Sequence, residues 1–140
     1  MKVFFDTNVL VAGLATRGLC SELLEHIIHD HELLTCPPVL AEIERILADK
    51  LGLPASAIAG FLGLLTSEGR VVESGGNPEI LIKDADDIPI LACAISGNAD
   101  VFVTGDKELL ELRNIGNLPI VSPRELWLRL MGIEAPKRSK

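Results

Sequence analysis

The chain has 140 residues, a formal net charge of −7 and an apolar fraction of 48%, which fits one globular domain with a core of ordinary size. No apolar run approaches the roughly 18 residues of a membrane span, and Met1-Lys2 lacks the basic and apolar regions of a signal peptide. A cytoplasmic protein with no membrane role is therefore expected. The acidic balance argues against a surface built for loose nucleic-acid binding, which normally carries excess Lys and Arg. Cys20, Cys36 and Cys93 are odd in number and far apart. They suit buried free thiols better than a zinc site or a disulfide framework. His26, His29 and His31 share one short stretch and read as an exposed helix end, with a metal site as the alternative.

Strand-like and helix-like segments alternate along the chain, the pattern of βαβ units and a mostly parallel sheet. Residues 2–5 read as a buried strand. Leu19, Leu23, Leu24, Ile27 and Ile28 recur at helical spacing after Gly13 and Gly18. Residues 33–36 form a short strand, and Pro37-Pro38 open a helix with Val39, Leu40, Ile43, Ile46 and Leu47 on one face. Gly52 ends it. Pro54 starts another with Ile58, Phe61, Leu62 and Leu65 inward, closed by Gly69. Residues 70–73 read as an edge strand and 74–78 as a loop. Ile88–Ile95 is apolar on every side and is expected to be a buried helix, with Asp86 as its N-cap. Val101-Phe102-Val103-Thr104 is the second core strand. A short helix follows at 107–112, then a strand at 119–121. Ser122-Pro123-Arg124-Glu125 has capping-box spacing and opens the last helix. Leu126, Leu130 and Trp127 are placed inward.

Four acidic positions stand out. Asp6 leaves the first strand, and Asp106 follows the second through Thr104-Gly105. In open α/β sheets the carboxyl ends of central strands are where ligand chemistry is placed. The alternative for either is a helix N-cap or turn. Glu42 lies in the first turns of its helix, on the border of the apolar face, whereas Glu44 points away. Its alternative is a solvent-facing acid favoured by the helix dipole. Asp84, Asp86 and Asp87 repel one another ahead of a buried helix, which a cation or basic partner would relieve; one of them caps the helix. Strand ends and the starts of the helices that follow share one edge of a parallel sheet, so these acids can converge. Oxygen-only ligands suit Mg²⁺ or Mn²⁺ rather than zinc, and such an ion suits phosphoryl chemistry.

These segments resemble the PIN domain family, and within it the VapC-like toxin components of prokaryotic toxin–antitoxin pairs. F-F-D-T-N-V-L-V, V-L-A-E-I-E-R-I-L, D-A-D-D-I-P-I-L-A-C-A and A-D-V-F-V-T-G-D-K-E-L-L are similar to its four motifs in order. The final S-P-R-E-L resembles its closing segment. The likeness maps the family's acids onto Asp6, Glu42, Asp87 and Asp106, with Asp6, Asp87 and Asp106 as metal ligands and Asn8 and Thr104 as supporting hydrogen-bonding groups. It implies a three-layer α/β/α sandwich over residues 1–131, with 132–140 as a short basic tail. It also implies a ribonuclease that uses Mg²⁺ or Mn²⁺, an RNA substrate, a homodimer and a cognate antitoxin that blocks the acidic site. The helix pair at 37–66 carries more apolar residues than one core face needs, which suits either a packed partner or a thick core.

The competing reading is a non-catalytic acidic α/β module that recruits a basic protein. A phosphatase would need a second aspartate two residues after Asp6, where Asn8 stands. A phospho-acceptor domain would need an isolated lysine after a late strand, but Lys107 adjoins an acid.

Overall fold

The computed structural model describes residues 1–73 and 88–132. The acidic run Asp84, Asp86 and Asp87, the loop at 74–78, the expected Asp86 cap and most of the basic tail lie outside the described residues. Strand β1 (Lys2–Phe5) leads into helices α1 (Thr7–Ala15) and α2 (Leu19–Asp30). Strand β2 (Glu32–Thr35) follows, then α3 (Pro37–Asp49), α4 (Ala55–Glu68) and strand β3 (Gly69–Val71). The second half runs through α5 (Ile88–Ser96), β4 (Val101–Val103), α6 (Lys107–Leu112), β5 (Asn114–Ile115), β6 (Leu118–Val121) and α7 (Pro123–Leu130).

The strands form one sheet in the order β3-β2-β1-β4-β6-β5. All neighbours pair in parallel except β5, which pairs antiparallel with β6. The first connections step from β1 outward to β3; the later ones step the other way, from β4 to β6. Right-handed crossovers therefore place their helices on opposite faces, which gives the expected three layers. The central strands are apolar on both faces, as a covered parallel sheet requires: Val3, Phe4, Phe5, Val101, Phe102 and Val103 are all buried. Phe4 and Phe102 occupy paired positions and stack at 5.7 Å and 15°. Such a contact is worth about 1 kcal/mol beyond its burial.

Helix termini follow the sequence chemistry. Asp6 caps α1 and Asp106 caps α6. Ser122 and Glu125 form the reciprocal capping box at α7, each bond 3.1 Å. Of the inward residues expected in α7, Leu126 is fully buried, and Trp127 and Leu130 are half-buried against the core. Helix α5 buries Ile90 through Ala94 as its composition demands.

Two elements were not foreseen. Helix α1 runs through Gly13, a poor helix former. A Cβ there would sit 3.0 Å from the Cys20 carbonyl oxygen and 3.2 Å from Leu24, so glycine is what lets α1 and α2 touch. The short β5–β6 hairpin turns through Gly116 with φ +59°. It is too brief to leave a period-two pattern.

Candidate metal centre at the carboxyl edge of the sheet

Strand β1 lies between β2 and β4, where the direction of strand addition reverses. The carboxyl ends of β1 and β4 therefore open on the crevice where doubly wound sheets bind ligands. Phe5 pairs with Val103, so Asp6 and Thr104 are the next residues of two adjacent strands. Two backbone bonds hold the exits in register: Asp6 N donates to the Val103 carbonyl at 2.8 Å, and Thr104 N to that of Val121 at 3.0 Å.

The side chains form a short network. Asp6 Oδ1 accepts from Thr7 N at 2.8 Å, and Oδ2 from the Thr104 hydroxyl at 2.7 Å. The same Thr104 oxygen accepts from Asp106 N at 3.0 Å, and Asp106 Oδ1 accepts from Glu108 N at 2.8 Å. One fully buried hydroxyl thus fixes the orientation of one carboxylate and the backbone that carries the second. The capping role of both aspartates is real. It uses one oxygen of each and does not exclude a ligand, because a carboxylate has about four acceptor sites.

Asp6 is only 9% exposed. Burial raises its pKa above the ordinary carboxylate value, and the nearby Asp106 charge adds to the rise; the bonds from Thr104 and Thr7 oppose it. No lysine or arginine pairs with Asp6 among the described residues. A buried acid beside a second acid, with hydrogen bonds but no base, is the electrostatic setting a cation relieves. The donors are all hard oxygens. On both counts these residues suit a hard divalent cation.

Glu42 is half-buried on α3, one residue from the buried Ile43, and Glu44 is exposed. Among the described residues no three acids, histidines or cysteines gather closely enough to hold a metal. The described part therefore brings Asp6 and Asp106 together through Thr104, while Glu42 lies on α3 and Asp87 lies outside the described residues. Asn8 is exposed in the first turn of α1 and adds no hydrogen bond to the network. Sequence reasoning passed over Thr7 and Thr35. Both hydroxyls are buried without a hydrogen-bond partner among the described residues; the only hint was a threonine beside each strand exit.

The buried thiols are inert by position. Cys36 and Cys93 are fully buried, and burial, with the Cys93 thiol bonded to it, pushes Cys36 up to about 12. A separate cavity of about 380 Å³ opens between α1, α2 and α4. Leu14, Leu24, Ile28, Phe61 and Leu64 line it, with Glu25 and Glu68 among its polar residues. Of the helix pair at 37–66, only α4 contributes to this cavity, through Phe61, Leu64 and Glu68.

A family model described as the PIN domain matches residues 2–108. Among curated proteins none matches the chain in sequence. Among solved structures, the chain is similar to the crystal structure of VapBC2 from Rickettsia felis bound to a DNA fragment from their promoter. The likeness has a TM-score of 0.65 at 18% identity and covers 87% of this chain and 98% of that one. No described helix is long and apolar enough to cross a membrane. The match over residues 2–108 takes in β1, its Asp6 exit, Glu42 and the Thr104–Asp106 loop, so the chain belongs to the PIN domain family.

Proposed function

We propose that the protein is a metal-dependent endoribonuclease, the toxin of a toxin–antitoxin pair, acting in the cytoplasm as a homodimer. The observation that carries this reading is the pairing of Asp6 and Asp106 across adjacent strand exits, with Thr104 between them and no ion pair to Asp6 among the described residues. Asp6 and Asp106, together with Asp87, would hold Mg²⁺ or Mn²⁺. Such an ion would polarise a phosphate oxygen, lower the pKa of a bound water and balance charge on the leaving oxygen.

The chain's own residues orient the acids. Thr104 donates to Asp6 Oδ2 and so keeps Oδ1 on Thr7 N and the carboxylate plane fixed. It also accepts from Asp106 N, which sets the start of α6. Glu42 completes the ligand set or orients the attacking water. The partner reading is supported by the VapBC2 likeness and by the apolar groove between α1, α2 and α4. Its glutamates favour a protein segment with apolar anchors and basic flanks.

Cleavage of single-stranded RNA with Mg²⁺ or Mn²⁺ tests the reading. Wild type should cut, and Asp6→Asn and Asp106→Asn should each lose more than about 100-fold, because even outer supporting groups of metal sites cost 10–100-fold. Equal rates in all three proteins would overturn it. The second reading, a non-catalytic module for a basic partner, would be favoured by a folded wild type that binds no Mn²⁺ and cuts nothing.

A further inference from the structure

We propose that Lys107 and Arg124 form a phosphate-binding lip that carries the nucleic-acid strand away from the acids over β4 and β6. The inference rests on the proposed function and adds the direction and the means of substrate binding. An enzyme with a net charge of −7 must attract a polyanion locally, because phosphate contacts supply most of the affinity for nucleic acid. The place of the basic residues relative to the carboxyl edge is therefore informative.

Lys107 is the first residue of α6 and Arg124 the second of α7. Both helices start at the exits of neighbouring parallel strands, β4 and β6, and the Thr104 N bond to Val121 ties these exits together. Both side chains are exposed, and neither forms an ion pair among the described residues. The β2 side of Asp6 is different. There Arg70 is held by the Gly97 carbonyl at 3.3 Å and Glu32 at 3.5 Å. Arg45 is the ninth residue of α3, about 12 Å along the helix from its start at 1.5 Å per residue. Among the described residues, free positive charge at the edge is thus confined to one flank of the acid pair.

Gly105 lies on that flank, directly before Asp106. A Cβ there would meet nothing within 4 Å, and no left-handed φ demands glycine. Packing does not require glycine at this position. Close approach of a ligand to the backbone does use one.

Binding of a fluorescein-labelled single-stranded RNA by fluorescence anisotropy, with Ca²⁺ replacing the catalytic ion, tests the lip across a salt series. Lys107→Gln and Arg124→Gln should each weaken binding about 3- to 10-fold and lower the slope of log K against log salt by about 0.7, the value for one single-strand phosphate contact. Lys107→Arg should retain the slope. Gly105→Val should weaken binding without lowering the melting temperature. Arg45→Gln and Lys50→Gln should bind as wild type. If wild type binds and cuts RNA while the Lys107, Arg124 and Gly105 variants keep its affinity and slope, the function stands and the lip is wrong. If wild type neither binds nor cuts, the function falls and the lip with it.

Discussion

The two ends of the sheet bury polar groups in opposite ways. At the carboxyl edge, Asp6 and Asp106 meet around one hydroxyl, and Asp6 has no ion pair among the described residues. At the far end of α2, His26 packs at 5.6 Å from the His31 ring and edge-on at 6.3 Å from Trp127, while its Nδ1 lies 3.4 Å from Asp30. The first arrangement leaves the buried Asp6 carboxylate without an ion pair among the described residues, a setting that a cation would relieve. The second spends its polar residues on packing between α2 and α7. Of the three histidines only His29 is exposed, so the stretch is a helix-to-helix contact rather than the solvated end its sequence suggested. Among the described residues no group of three metal-ligating side chains gathers there.

The comparison is broken most severely by removing the bridge at the carboxyl edge. Thr104→Val keeps the shape but deletes the hydroxyl, leaving Asp6 Oδ2 and Asp106 N without their partner. Cleavage should fall about 10- to 100-fold, with Thr104→Ser restoring most of it; a rate within twofold of wild type for Thr104→Val would remove the hydroxyl from the account. The matching change at the other end is Trp127→Ala. It should cost about 2 kcal/mol of stability, roughly 5 °C in melting temperature for a domain of this size, with activity per folded molecule unchanged. A loss of activity without loss of stability would mean that the two ends are not independent.

The smallest effect sharpens the contrast through pH. Burial, with the positive charge of the amino terminus and His26, holds His31 below its ordinary 6.5, while Asp30 opposes the fall. The unfolded chain then binds more protons than the folded one near and below pH 6.5, so this residue's contribution to stability is lost as pH falls through that range. Asp6 is raised above 3.8, so the folded chain binds more protons above pH 3.8, and its contribution declines as pH rises through the folded value. Melting of the metal-free protein should show both trends with opposite sign. His31→Asn should flatten the loss between pH 7 and 5. Asp6→Asn should melt higher than wild type at pH 7, and the advantage should vanish near pH 3.5. Identical pH profiles for wild type and both variants would contradict these assignments.

The sequence made some of this legible for identifiable reasons. Val3-Phe4-Phe5 and Val101-Phe102-Val103 announce central strands because nothing polar interrupts them, and the aspartates at their exits are visible for the same reason. The capping box at Ser122 and the buried helix at Ile88 also follow from local chemistry. The Thr104 bridge depends on the register between β1 and β4, a contact between residues 98 apart in the chain that no local pattern encodes. Helix α1 was obscured by Gly13, whose reason is a neighbour's backbone rather than its own segment. Glu42 reads as the border of an apolar face and is half-buried, but how α3 stands against the sheet is a matter of tertiary packing. That placement rests on the buried Val39, Ile43 and Leu47 and is not written in spacing.

The most direct test of the central claim is calorimetric titration of the folded protein with Mn²⁺. The carboxyl edge as a cation site predicts saturable binding by wild type, and binding lost or weakened by more than about tenfold in Asp6→Asn and Asp106→Asn, with His26→Ala binding as wild type does. Equal Mn²⁺ affinity in all four proteins, or none in wild type below millimolar concentration, would contradict it.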